Sequence, residues 1–217
     1  MRNGNDRWAE HRIRPSGAQI PAAIALAAVT VVISVVSMVG PVGYWLAAGA
    51  SPQFDFQVWR PLLFALSGGS ILQAVINAAF LILVGRSLEP MLGSIDFAVV
   101  YLLAGLGGAT ALSVTGVAAS LSGSICGVFG ILAAMAVIKY LQHQDIRGDI
   151  ILIALLVIWG ILAGSRDWTA GIGAVVVGAL VGWVWNRTRW ASRTRVWLSY
   201  AAVALVCLVV LVLTWMR

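Results

Sequence analysis

"SLSGSICGVFGILAA", residues 120–134, places a serine directly before a glycine inside an apolar run. Within it Gly123, Gly127, Gly130 and Ala134 recur at spacings of four, three and four. That spacing marks one face of an α-helix. A helix that is apolar all round belongs in a large core or in a membrane. Small residues along one face let two membrane helices approach closely. Ser122 is then either a nucleophile at a helix end or one more small residue beside a packing seam. What the rest of the chain offers as a base decides between the two.

The 217-residue chain is 61% hydrophobic and 10% charged, with a mean hydropathy of +0.96. Soluble domains carry about 25% charged residues, and a bilayer-crossing helix takes roughly 20 apolar ones. Apolar runs predict spans at 19–39, 68–85, 95–115, 118–139, 150–164, 168–186 and 197–216. The fifth is short for a lipid-facing helix. The expected fold class is an all-α polytopic membrane protein. Residues 1–17 form a basic polar tail, and the run after it is longer than a signal-peptide core. An uncleaved first span is expected.

The net charge of +6 raises nucleic acid as a partner, but its distribution argues against that. Arg2, Arg7, Arg12, Arg14, Arg86, Lys139, Arg147, Arg187, Arg189, Arg193 and Arg195 fall in segments on one side of the predicted membrane. Arg60, Arg166 and Arg217 fall on the other. This positive-inside bias puts the N-terminus in the cytoplasm, and seven spans put the C-terminus outside. A multi-pass protein of the cell membrane is expected. The turn "RTRWASRTR", residues 187–195, reads as a topology determinant that also touches anionic lipid. The arginine-heavy, alanine-rich composition fits a GC-rich bacterial genome. Residues 40–65 form a long, aromatic-rich connection with Tyr44, Trp45, Phe54, Phe56, Trp59 and Phe64. It reads equally as an ordinary loop with an aromatic belt or as a segment lying in the interface.

A second seam, Gly171, Ala174, Gly178 and Gly182, lies on the sixth span. The two seams are expected to face each other, with Ser122 one position before the first. Titratable groups are few. The histidines are His11 in the tail and His143 in a polar loop, while Cys126 and Cys207 sit inside apolar runs. Neither cysteine suggests a disulfide or a metal site, and no cofactor is expected.

Several motifs in order give the chain a resemblance to the rhomboid family of intramembrane serine proteases. They lie in "WRPLLFALSGGSILQAVINAAFLILVGRSLEPMLGSIDF", residues 59–97, and "VVYLLAGLGGA", residues 99–109. Trp59-Arg60 matches the pair of the family's first loop. Gly85, Glu89 and Gly93 match its signature between the second and third spans. "SLSG", residues 120–123, falls where the family carries Gly-x-Ser-Gly. "GIGAVVVGALVG", residues 171–182, falls on its histidine-bearing sixth span. The resemblance implies a six-helix membrane domain, drawn over 18–187, followed by a basic loop and an extra seventh helix over 188–217.

Carried over by position, the nucleophile is Ser122 and the oxyanion asparagine is Asn77. The second-helix histidine position is Gln73. The aromatic expected four residues after the serine is Cys126. The histidine position, the base, is Gly171. No histidine lies between 144 and 217, and His143 is about a membrane thickness from Ser122 along the helix. Arg166 and Asp167 precede the sixth span. A carboxylate near pKa 4 is a poor base for a serine hydroxyl and reads more simply as a helix N-terminal acid. Lys139 is on the wrong side. The resemblance therefore implies an inactive pseudoprotease that binds transmembrane segments of other membrane proteins. The alternative is an active serine endopeptidase using Ser122 with a non-histidine base, Asp167 or a water held by Gln73 and Asn77. An unrelated role on the same fold is a third reading.

Overall fold

A computed structural model describes residues 20–39, 42–50, 57–118, 120, 123–162, 168–188 and 193–216. Among them the chain forms nine α-helices: α1 (Pro21–Val39), α2 (Val42–Leu46), α3 (Trp59–Leu63), α4 (Ile71–Leu92), α5 (Ser94–Thr115), α6 (Gly123–Leu141), α7 (Arg147–Leu162), α8 (Trp168–Thr188) and α9 (Arg193–Trp215). A 3-10 turn, Phe64–Leu66, extends α3. An isolated antiparallel bridge joins Ala48 to Ser120. The tail with His11, residues 51–56, Ser122, Arg166, Asp167 and Arg189 lie outside the described residues.

Helices α4, α5, α6, α8 and α9 are long and apolar enough to cross a membrane. Helix α1, of 19 residues, and the shorter α7, of 16, are apolar too and fall on the first and fifth predicted spans. Leu72, Leu83, Ile151, Leu155, Leu198 and Leu205 are each at least 60% exposed. Side chains of that kind on every side of a bundle fit lipid rather than water. Backbone polar groups are satisfied within the helices, as a bilayer requires. The chain is a polytopic helical membrane protein.

Helix α5 stands at the centre and touches α1, α4, α6, α8 and α9. Phe97, Val100, Leu106, Ile131, Leu132 and Ile138, from α5 and α6, are fully buried. Helix α9 leans on α5 and α8. Helix α5 ends in a Schellman arrangement: Gly116 takes φ +71, its N–H bonds the Ser113 carbonyl, and the Val117 N–H bonds the Leu112 carbonyl at 3.1 Å.

The second span is longer than predicted. It runs past residue 85 to Leu92 and carries Arg86, Glu89 and Pro90 within the helix. The reason is that Glu89 has a buried task. Its two carboxylate oxygens accept from the backbone N–H of Ala22 and Ala23, each at 2.9 Å, and from Ser94 Oγ at 2.6 Å. These are orphan donors of the α1 N-terminus, where negative charge is favoured. Pro90 lies in the last turn, where little ladder remains to be broken. Gly93 stops the helix at φ +89, a conformation side-chain-bearing residues rarely adopt. A Cβ on Gly85 would come within 2.5 Å of the Ala23 Cβ. The Gly-Glu-Gly signature therefore ties α1 to α4.

The two small-residue seams meet over part of their length. A Cβ on Gly178 would strike the Gly130 backbone, and one on Gly182 would lie 2.8 Å from the Ala134 Cα. Gly130 also meets the Ala174 carbonyl. Gly123 and Gly127 do not face α8, contrary to the sequence expectation. Gly123 meets the Phe64 carbonyl, and Gly127 meets the Tyr101 ring. Packed helices cross at an angle, so one face of α6 meets different neighbours at different heights.

Residues 42–50 and 57–66 are compact rather than extended. Arg60, 2% exposed, donates to the carbonyl oxygens of Tyr44 and Ala47 and to Gln57 Oε1. Its guanidinium also lies 4.8 Å from the Tyr44 ring centroid and 5.8 Å from that of Trp45. Both rings are about half exposed, as suits the headgroup level. Trp59 is exposed as well.

Candidate functional site

The motif around Ser122 is bracketed by Ser120 and Gly123. Ser120 is pinned from the first connection: its N–H donates to the Ala48 carbonyl at 2.8 Å and its carbonyl accepts from the Ala48 N–H at 3.1 Å. Gly123 opens α6. A helix N-terminus exposes unpaired N–H groups, the kind of donor that can hold a developing oxyanion. Here two are already taken. The Gly123 N–H donates to Ser67 Oγ at 3.0 Å, and the Ser124 N–H to the Ser67 carbonyl at 2.7 Å. Ser67 is itself fixed by donating from Oγ to the Phe64 carbonyl at 2.8 Å. The 3-10 turn thus plugs the start of α6, which is why only glycine fits at 123.

Asn77 lies on α4, 4% exposed, and its side-chain amide donates to Ser124 Oγ at 2.8 Å. Ser124 is fully buried. The amide expected to serve an oxyanion is therefore engaged with a second serine, two residues past the motif position. Gln73 stands one turn earlier on α4, half-buried, with its backbone N–H donating to the N-cap Ser70 Oγ at 3.2 Å.

The α8 side of the site is filled. A Cβ on Gly171 would meet the Phe129 ring at 3.1, 3.3 and 3.5 Å. Phe129 is 4% exposed and clusters with Cys126, Phe64, Ala170 and Ala174. Cys126 turns toward α5, where a Cβ on Gly108 would come within 2.9 Å of its Sγ. Phe129, three residues past Cys126, is the aromatic that packs against Gly171. His143 is exposed on the turn after α6 at φ +57, about 30 Å along the helix from Gly123. Lys139, near it, pairs with Asp149 at 2.9 Å. Among the described residues no group of three His, Cys, Asp or Glu could hold a metal ion.

The structure thus gathers Gln73, Asn77, Gly123, Cys126 and Gly171 at one end of the bundle. It adds three residues that sequence reading passed over: Ser67, Ser124 and Phe129. Phe129 shares a helix face with Cys126 at a spacing of three, but that spacing does not say that Gly171 of α8 lies against it. Ser67 and Ser124 carried no signal, because the partners that bring them to the site are 47 or more positions away. Residues 55–188 match the family model described as Rhomboid domain. No curated protein sequence matches the chain.

Proposed function

The chain belongs to the rhomboid family, and from that premise we propose that it is a silent member, a pseudoprotease that binds transmembrane helices of client proteins without cutting them. One observation carries the reading: the position of the histidine base is Gly171, and the Phe129 ring occupies the space beside it. A serine hydroxyl near neutral pH needs an adjacent base to become a nucleophile. Loss of that base costs a serine hydrolase on the order of a millionfold in turnover. The Asn77 amide bonded to Ser124 Oγ and the Gly123 and Ser124 amides bonded to Ser67 support the same reading. These donors stabilise the resting fold instead of standing ready for a reaction.

What remains is a bundle whose lipid-facing helices can pack against other helices. The N-terminus lies in the cytoplasm and the C-terminus outside, in the cell membrane, and the domain proper extends over residues 18–187.

The test is reconstitution in liposomes with a panel of transmembrane substrates carrying helix-breaking residues, together with a fluorophosphonate probe. The expected result is no cleavage and no labelling that depends on Ser122. Binding of the same substrates is read by energy transfer between labelled peptide and protein. Probe labelling or cleavage that is present in the wild type and abolished by Ser122→Ala overturns the proposal in favour of an endopeptidase with a non-histidine base. Absence of both cleavage and binding overturns client recognition.

A further inference from the structure

Helix α9 lies beyond the residues that match the family domain, and its apolar surface does not set its height in the membrane. Its buried residues are Val196, Tyr200, Cys207 and Leu211, spaced by four, seven and four along one face. Val203, Ala204 and Leu208 pack beside them against the core. In lipid no hydrophobic force drives such a face onto its neighbours. A slide of one helical turn, about 5.4 Å, would exchange one aliphatic side chain for another along most of the seam. Tyr200 is the exception.

Tyr200 is 3% exposed, and its phenolic oxygen is buried without a hydrogen-bond partner. The charges of Asp96 on α5 and of Arg193 at the start of α9 act on it. Asp96 is 6% exposed. Its carboxylate takes a hydrogen bond from the Trp185 indole of α8, while Oδ1 is buried with no partner. An acid in the first turn of a helix suits the dipole and needs no burial for that. This one is enclosed. The two unpartnered atoms are complementary, since a carboxylate oxygen accepts and a phenol donates. Left apart, each carries its full desolvation cost. A water bridging the two would satisfy both.

Other polar groups on α9 do not compete. Ser199 Oγ donates to the Arg195 carbonyl at 2.8 Å and Thr214 Oγ1 to the Leu211 carbonyl at 2.6 Å, both within the helix. Arg193 is exposed, and its long side chain can follow a sliding helix. The Tyr200 phenol is rigid and braced edge-on by the Trp197 ring, with centroids 6.1 Å apart.

We infer that Asp96 is the register lock of the seventh helix, gripping α9 through the Tyr200 hydroxyl while Trp185 of α8 holds the carboxylate in place. A slide of one turn sets Val196 or Ala204 opposite Asp96 Oδ1, and neither offers a side-chain donor. One buried polar residue fixing register in an apolar seam is the use of such groups best attested in coiled coils.

The experiment is pulsed EPR of the full chain in lipid nanodiscs, on a Cys126→Ala, Cys207→Ala background. Spin labels go on Ser87→Cys, exposed near the end of α4, and Leu213→Cys, exposed in the last turn of α9. The distance between them runs along the bundle and reads the height of α9. The background protein is expected to give one narrow distance. Tyr200→Phe is expected to add a population displaced by about 5 Å. Asp96→Leu should do the same, and the two together no more than either. Ser199→Ala and Arg193→Gln should leave the single distance. A Tyr200→Phe protein that keeps the single distance overturns the inference, even where Asp96→Leu fails to fold. A background protein with a broad distribution overturns it as well, because nothing then locks α9. Equal displacement by Arg193→Gln overturns it in favour of an ion pair, and equal displacement by Ser199→Ala shows that Tyr200 has no special part.

Discussion

Restoring the imidazole is the sharpest probe of the site, and the structure predicts that Gly171→His will largely fail on its own. A Cβ at 171 would sit 3.1 Å from Phe129 Cε2, with two more ring atoms at 3.3 and 3.5 Å. Ordinary contact needs a few tenths of an ångström more. A shift of that size at Cβ grows to about 1 Å at the far nitrogen of the ring, and a 1 Å misplacement can cost about a hundredfold in rate. Adding Phe129→Ala removes the obstruction. It also removes a buried ring, at about 3–5 kcal/mol, part of which the imidazole recovers by filling the space. The assay is cleavage of a fluorogenic transmembrane substrate in liposomes, alongside melting in detergent. Expected are no turnover for the wild type and for Phe129→Ala. Gly171→His should sit near background, and the double variant about a hundredfold or more above it. Gln73→His on that background should add a further gain, since one oxyanion donor is worth about 10²–10³. If Gly171→His alone matches the double variant, Phe129 does not block the position and the steric reasoning is wrong. If no combination cleaves while the proteins melt normally, the donors held by Ser67 and Ser124 are what silence the site.

Glu89→Gln keeps the shape but puts an N–H against a backbone N–H of α1. It should cost about 2–3 kcal/mol by the worth of a hydrogen bond to a charged group, read by denaturant unfolding in detergent; a loss under 0.5 kcal/mol would contradict the capping role. Gly178→Leu drives a side chain into the Gly130 backbone and should abolish the folded yield seen by size exclusion. Gly148→Ala, at a position with nothing within 4 Å, should be neutral or stabilising by about 0.4–1 kcal/mol. Ser124→Ala leaves the buried Asn77 amide without its acceptor and should destabilise by about 1–3 kcal/mol, with Asn77→Leu added on top costing less than it does alone, as a double-mutant cycle would show.

The membrane bundle was legible in the sequence because run length and apolar periodicity are local properties, and lipid demands both. That no histidine lies between 144 and 217 was legible at once, because it needs no structure. That Phe129 packs against Gly171 was not, since Phe129 reads as any core aromatic until α8 is laid beside α6. Ser124 was hidden for a geometric reason. Spacing alone does not say which of two nearby serines Asn77 will meet. The role of Glu89 required knowing that the start of α1 returns to it across 66 positions or more.

The pattern of what matches the family and what departs from it has a physical order. Gly85, Glu89, Gly93, Gly123, Gly178 and Arg60 fall on positions the resemblance marks, and each has a task in packing, capping or backbone conformation that is independent of any reaction. Substituting Gly123 would drive a side chain into the Phe64 carbonyl whether or not a peptide is ever cut. On the resemblance, the positions that depart, 73, 126 and 171, are those whose expected residues would serve the chemistry. A serine followed by an obligatory glycine at the start of α6 is therefore weak evidence for catalysis, because the fold requires half of the motif for its own stability. On the proposed reading, the decision between protease and binder rests on the departures, and above all on Gly171, against which the Phe129 ring packs.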